Sequence, residues 1–287
     1  MGPSLSREGR GDHRALDRAR EMPRLRASDA ARRAASEAGP DFSEALARGL
    51  KIVTAFTAER RAMTLSDVAK HVDLPRATAR RALFTLTQLG YAESDGRLFR
   101  LTPRILALAG AYLASSGVAT LLQPACERLS GDANEACSVA VLDGDEVVMI
   151  AHAAPARFAD VSPGVGFRLP AYATALGRVL LAGLTDDALD AFLKALKPSA
   201  LTPHTVTDRR ALRRLIGETQ RAGFALADQE AELGFRSIAV PLRRHDGKLV
   251  AAMNIGARIE RASPATMRKA FLPLLRRAAA ELQPLLL

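Results

Sequence analysis

Tryptophan is absent from the 287 residues, aromatic side chains make up 5%, and there are two cysteines, Cys126 and Cys137. Two thiols cannot build a disulfide framework, and neither has the spacing of a zinc site. The five histidines are scattered, and there is no H-E-x-x-H, G-x-S-x-G or C-x-x-C. Gly164-x-Gly166 lacks the third glycine and the following helix of a dinucleotide site. No metal, cofactor or catalytic constellation is therefore expected. The one long charge-free run, Ile105 to Cys126, is interrupted by Gly110, Ser115, Ser116, Gly117, Thr120, Gln123 and Pro124. It reads as a buried or helix-packing segment rather than a membrane span. An acid or Arg every few positions in the first forty residues is unlike a secretory signal. The expectation is a cytoplasmic protein with no membrane partner.

What is present is positive charge, unevenly placed. Forty-one Lys+Arg against thirty-one Asp+Glu leave a net charge of +10, and 48% hydrophobic residues are enough for a sizeable core. Residues 1–41 hold net +2, with little hydrophobic periodicity, and read as a flexible basic tail in which Met22 offers a second start. Residues 42–104 hold net +5, half the excess in just over a fifth of the chain. A basic excess of this kind favours an anionic partner, nucleic acid first.

Residues 42–102 have the pattern of a winged helix-turn-helix. Phe42, Leu46, Leu50, Val53 and Phe56 recur at helical spacing and predict a first helix with one buried stripe. Thr64 and Asp67 have capping-box spacing, with Asp in place of Glu or Gln, and open a helix over Leu65–His71. After the turn Val72-Asp73-Leu74, Pro75 suits the first turn of a third helix. That helix places Ala79, Ala82, Leu83, Leu86 and Leu89 on one face and is stopped by Gly90. Tyr91–Glu93 and Arg97–Leu101 alternate around Asp95-Gly96, a hairpin signal.

Such a module suits duplex DNA, because the early residues of its third helix meet base edges and phosphates. The candidate contacts are Thr64 and, on the third helix, Arg76, Ala77, Thr78, Arg80 and Arg81, with Arg97 and Arg100 on the wing. Arg binds guanine bidentately, and Thr serves a base or a phosphate. The plainer alternative for these arginines is a solvated helix face.

Residues 103–120 predict an apolar linker helix with Ile105, Leu106, Leu108, Ala109, Tyr112 and Leu113. Too apolar to stand alone, it either packs on the second domain or pairs with the same helix of another chain. Residues 121–287 read as an α+β domain. Leu121–Leu129 continues as helix, and strands Ala136–Leu142 and Glu146–His152 flank Asp143-Gly144. A short helix over Ala175–Gly183, preceded by the loop Pro163-Gly164-Val165-Gly166, and an amphipathic helix over Asp208–Arg221, capped by Thr207 or Asp208, follow. Strands Ser237–Leu242 and Leu249–Ile255 surround Asp246-Gly247, and Pro264–Leu286 closes as a helix with Met267, Phe271, Leu274 and Leu275 inward. Read from its residues, this half is a binding module around an apolar pocket.

Three stretches carry a family resemblance. They are the wing and apolar linker, the run from Arg168-Leu-Pro-Ala-Tyr-Ala-Thr-Ala-Leu-Gly177 to Ala182, and Gly223-Phe-Ala-Leu-Ala-Asp228-Gln-Glu230 followed by Ser237-Ile-Ala-Val-Pro241. From about Phe42 to the end the chain resembles the IclR family of bacterial transcription regulators. Ala79-Arg80-Arg81, Phe99–Pro103 and Ala171–Ala175 are most similar to regulators of protocatechuate, p-hydroxybenzoate and β-ketoadipate catabolism. The resemblance implies a winged-helix reader of a double-stranded operator, a linker helix and a GAF-like effector and oligomerisation domain. It also implies a homodimer or tetramer and a small organic-acid effector, often aromatic. The acid would shift the population of dimer geometries, and with it operator affinity or contact with RNA polymerase.

Carried over by position, the effector pocket would be lined by the helix start at Ala175, Leu176 and Gly177, whose N–H groups would hold a carboxylate. Asp228, Glu230, Ser237, Asn254 and Gly256 would complete it, with Cys137, Ala140 and Tyr172 as walls. A packing role is the alternative for each. The aromatic-acid subgroup usually has Ser where Ala175 stands and often Arg where His152 stands, which leaves a pyruvate-sized or a ring-bearing acid open. Two other readings compete. One is an enzyme acting on a small acid through its C-terminal domain. The other is a DNA-binding protein that needs no ligand.

Overall fold

The computed structural model describes residues 41–57, 59–115, 118–156 and 164–286, with the side chains of 113–115 and 118–120 left aside. The expected tail and residues 157–163 lie outside the described residues. One compact unit ends at Leu106 and a second begins at Ala107.

In the first unit, helices α1 (Glu44–Thr54), α2 (Leu65–His71) and α3 (Arg76–Gln88) precede a hairpin of β2 (Ala92–Ser94) and β3 (Leu98–Leu101). The two-residue strand β1 (Met63–Thr64) adds to β3, giving the order β1-β3-β2. That third strand carries no sequence signal at two residues. Thr64 then starts α2: its hydroxyl accepts the Asp67 N–H at 3.2 Å, and the Asp67 carboxylate accepts the Thr64 N–H at 3.2 Å. These bonds hold the Asp67 carboxyl below its ordinary pKa, the Thr64 hydroxyl contributing most. Asp73 turns the chain in the left-handed region at φ 50°, and Pro75 is the residue before α3.

The core of this unit is Ile52, Ala55, Met63, Val68, Val72, Ala79 and Leu83. The buried stripe expected on α1 is placed differently. Ile52 is buried, whereas Phe42, Leu46 and Leu50 are exposed, because the neighbouring helix meets α1 on the Ile52 side. Leu89 is likewise exposed, lying beyond the end of α3 where the chain turns into the wing.

Between the units' main elements a 3-10 turn (Pro103–Ile105) leads into α4 (Leu106–Ser115), and α5 (Val118–Ala133) follows. Residues 116–117 lie outside the described residues, and Pro124 lies within α5 rather than at a break. Leu106, Leu108 and Tyr112 of α4 are exposed.

The second unit is a six-stranded antiparallel sheet in the order β6-β5-β4-β9-β8-β7. Its strands are β4 (Ala136–Asp143), β5 (Glu146–Ala153), β6 (Arg168–Pro170), β7 (Ala225–Asp228), β8 (Phe235–Arg243) and β9 (Leu249–Arg258). Its remaining helices are α6 (Ala175–Leu181), α7 (Asp186–Ala195), α8 (Arg209–Ala222, capped by Asp208) and α9 (Leu272–Leu282). The expected C-terminal helix is present: Pro264–Thr266 runs through a π turn over Met267–Phe271 into α9 and ends in a 3-10 turn over Gln283–Leu285.

Strand alternation sorts the side chains onto two faces. Cys137, Val139, Ile238, Val240, Met253 and Ile255 point to a core shared with Leu122, Cys126 and Leu129 of α5 and Leu275 of α9. Ala140, Ala239 and Ala252 point the other way, to a core with Leu176, Val179, Leu189, Leu212 and Ile216 of α6, α7 and α8. Helices thus cover both faces. On this second face a space remains beside α6, and that space is the candidate site.

Candidate DNA surface and effector cavity

In the first unit α3 turns Ala79 and Leu83 into the core and leaves Arg76, Ala77, Arg80 and Arg81 exposed, with Thr78 half-buried. Among the described residues none of these three arginines enters an ion pair. Arg97 on the wing is also exposed, whereas Arg100 reaches Asp95 at 3.3 Å. The Thr64 hydroxyl is engaged by the capping box, 2.7 Å from the Asp67 carboxylate, which makes it a helix-start residue first. Phe84, 64% exposed, lies on the same side of α3 as Arg80 and Arg81. Sequence reasoning passed over it, since a Phe in an amphipathic helix is ordinarily assigned to the core.

In the second unit a cavity of about 580 Å³ lies over the sheet beside α6, within the size range of small-molecule sites. Its buried end is a row of polar residues from four adjacent strands. Asn254 of β9 accepts the Ser138 N–H at 3.0 Å, and the Ser138 hydroxyl lies 2.9 Å from His152 Nδ1. Ser237 of β8 lines the same end. Burial pushes the His152 pKa down, favouring the neutral ring. The backbone of His152 is held by Gln123 of α5, whose side-chain oxygen accepts its N–H at 3.1 Å and whose amide donates to its carbonyl at 2.9 Å.

Met149 of β5, Leu169 of β6, Leu176 of α6 and Ala227 of β7 supply apolar lining. Glu230 stands in the wall and is neutralised from behind: its carboxylate accepts from the buried Arg178 guanidinium and from the Val206 N–H at 3.3 Å. At the open end Arg258 pairs with Glu232 at 2.7 Å, and the exposed Phe167, whose carbonyl accepts the Met149 N–H at 2.9 Å, lines the cavity on the β5 side.

Six of the twelve residues expected to contact an effector line this cavity: His152, Leu176, Glu230, Ser237, Asn254 and Gly256. The other six are placed elsewhere. Cys137 faces the opposite side of the sheet beside Cys126, where burial raises its thiol pKa. Its neighbour Ser138 takes the cavity position, since adjacent strand residues alternate faces. Ala140 packs beneath α6. Tyr172 is buried, and its hydroxyl donates to the Ser199 carbonyl at 2.8 Å and accepts the Ser199 N–H at 3.1 Å. Ala175 is buried in the helix core, and the Gly177 N–H goes to the Thr174 hydroxyl at 3.0 Å. A Cβ at Gly177 would overlap the Ala171 backbone, so close packing accounts for that glycine. Asp228 ends β7 and forms a bidentate pair with Arg236 at 2.9 Å.

The residues missed include Ser138, Met149, Thr174, Phe167, Phe235, Glu232 and Arg258. A bulge hides one of them. Val139 pairs with Ala151 and Ala140 with Met149, so β5 skips Ile150. Ile150 and Ala151 both join the α5 side, and Met149 and His152, three apart, share the cavity face. Strict alternation would separate them.

Comparison with known proteins decides what kind of molecule this is. Residues 45–96 match the IclR helix-turn-helix domain, and residues 110–283 match the C-terminal domain of bacterial IclR transcriptional regulators. The chain belongs to the IclR family. It is therefore a DNA-binding transcriptional regulator and not an enzyme, and the α+β architecture with an N-terminal helix-turn-helix is that of the family. Within the IclR family it is 40% identical over 261 residues to the Pca regulon regulatory protein of Pseudomonas putida, covering 91% of this chain and 90% of the relative. It is 33% identical over 250 residues to the p-hydroxybenzoate hydroxylase transcriptional activator of Acinetobacter baylyi, covering 85% and 92%. The crystal structure of an IclR homologue complexed with 4-hydroxybenzoate, from Microbacterium hydrocarbonoxydans, superposes with a TM-score of 0.71 at 30% identity, covering 85% of this chain and 99% of that one.

Proposed function

We propose that this regulator binds its operator through α3 and the wing and that a small aromatic acid in the cavity of the second unit controls that binding. Arg76, Thr78, Arg80 and Arg81 read bases or clamp phosphates, with Arg97 on the adjacent backbone. The genes governed are those of aromatic-acid catabolism. The observation that carries the reading is the cavity: about 580 Å³, with apolar lining from Met149, Leu169 and Leu176, neutral polar groups at Ser138, Ser237 and Asn254, and the Arg258–Glu232 pair. That is a site for a ring bearing polar substituents, and a homologue at 30% identity has been crystallised with 4-hydroxybenzoate.

The functional form is a homodimer or a pair of dimers in the cytoplasm. Exposed apolar side chains support this at Phe42 just before α1, on α1 (Leu46, Leu50) and on α4 (Leu106, Leu108, Tyr112), where a second copy would cover them. Two half-sites per dimer multiply the weak affinity of one winged helix. An acid that prefers one dimer geometry shifts operator affinity or contact with RNA polymerase by its differential affinity for the two states.

A thermal-shift screen with 4-hydroxybenzoate and related acids, followed by anisotropy titration of promoter DNA with and without the stabilising acid, tests this function. The midpoint should rise with acid concentration, and the acid should change operator affinity. A ligand-independent DNA binder would give operator binding with neither response.

A further inference from the structure

The two polar ends of the cavity differ in charge, and the difference fixes which way round an acid sits. At the buried end Ser138, Ser237 and Asn254 are each less than a tenth exposed and carry no charge. The His152 ring beside them is held neutral by burial. A carboxylate placed there would lose its water without gaining a cation from the described residues, a costly arrangement. In the wall, Glu230 is already matched by Arg178. Among the described residues Arg258 is the one arginine lining the cavity, and it stands at the open end, 38% exposed and paired with Glu232, itself 60% exposed. Asn254, Gly256 and Arg258 are alternate residues of one strand on the cavity face. The two ends are thus four residues apart, or about 13 Å of backbone.

Resting on the aromatic-acid reading above, we infer that Arg258 receives the effector's carboxylate at the mouth of the cavity in exchange for Glu232, and that the Ser138–His152 pair reads a ring hydroxyl at the buried end. The ring lies between them beside Leu176, next to Gly256 and the Phe235 ring that packs over that glycine. Ser138 Oγ and His152 Nδ1 form a donor–acceptor pair at 2.9 Å, and a phenolic hydroxyl, which both donates and accepts, can insert into it or bridge to Ser237. A bare ring leaves that pair satisfied but gains nothing from it, so hydroxylated acids are preferred. Glu232 is a built-in competitor: the protein holds a carboxylate of its own on Arg258 until an acid replaces it. An effector therefore needs both a carboxylate and a hydroxyl on the far side of the ring.

Isothermal titration of the full-length protein with 4-hydroxybenzoate, benzoate and 4-hydroxybenzamide separates the elements of this inference. The wild type should prefer the acid to the amide, and 4-hydroxybenzoate to benzoate. Arg258→Leu should weaken 4-hydroxybenzoate by about tenfold or more, as expected for loss of a charge-assisted bond, and remove the preference over the amide. Arg258→Lys should restore part of it. Glu232→Gln should tighten acid binding without changing affinity for the amide. Ser138→Ala should narrow the gap between 4-hydroxybenzoate and benzoate while keeping the preference of acid over amide. Unliganded melting temperatures near wild type show that each variant folds. If the wild type binds the acid and Arg258→Leu still prefers acid to amide, the orientation is overturned while the aromatic-acid reading stands. If the wild type binds none of the three probes, that reading falls and the inference with it.

Discussion

Arginine is placed in opposite ways in the two units. On α3, Arg76, Arg80 and Arg81 stand in solvent and, among the described residues, meet no carboxylate. In the second unit, Arg178 and Arg236 are buried, and each ends on a carboxylate, Glu230 or Asp228. A cation left in water without a protein partner adds little to folding and is available to a phosphate or a guanine edge. A buried, paired guanidinium is committed to holding its neighbourhood together, and removing either partner strands the other. Net charge alone does not distinguish these cases; pairing and burial do. The first unit keeps its charge for a partner, and the second neutralises its own to shape a cavity.

That contrast can be broken most forcefully at the buried pair. Arg178→Ala should cost about 3–5 kcal/mol of stability by leaving Glu230 buried and uncompensated, read as a lower urea midpoint for the second unit. Arg178→Ala with Glu230→Ala should recover part of the loss. On α3 the same substitution should act differently. Arg80→Ala or Arg81→Ala should leave stability within about 0.5 kcal/mol and cost about 1–3 kcal/mol of operator binding where the side chain meets a base. A side chain that meets only phosphate should instead lower the salt slope by about one unit. Unchanged operator affinity in both variants would remove them from the contact surface.

Smaller effects sharpen the comparison. Thr64→Ala should destabilise the first unit by about 1 kcal/mol through the lost cap, measured by denaturation of the full chain. His152 gives the second unit a pH dependence of definite sign. Its folded pKa lies below the unfolded value, so between the two the unfolded chain binds more protons and stability rises with pH. The contribution is complete above the ordinary histidine value of about 6.5 and is lost as pH falls toward the folded pKa. His152→Asn should flatten that part of the stability profile.

The winged helix was legible almost residue by residue, because its signals are local. A capping pair, a proline before a helix, Asp-Gly at a hairpin and a helical stripe each act within a few positions. What the sequence did not show there is the outward face of Phe42, Leu46 and Leu50, since periodicity marks an apolar stripe without saying what covers it. The cavity was half legible. Ser237, Asn254 and Gly256 sit on strands with clean alternation, and family resemblance marked them. Cys137 was assigned to the wrong face by a single step of strand phase, which reverses every side chain. Met149 was hidden by the bulge at Ile150, and Arg258 by its place beyond the expected end of β9. The N–H groups expected to hold a carboxylate were expected from the helix start alone, which does not reveal that Thr174 caps the Gly177 N–H.

The claim on which the account rests is that the first unit grips an operator and the second governs the grip. Fluorescence anisotropy of the full-length protein on promoter DNA and on a random duplex, at fixed salt with and without 4-hydroxybenzoate, measures both halves at once. The account predicts affinity for the promoter well above that for the random duplex and a reproducible shift on adding the acid. Equal affinity for the two duplexes, unmoved by the acid, would contradict it.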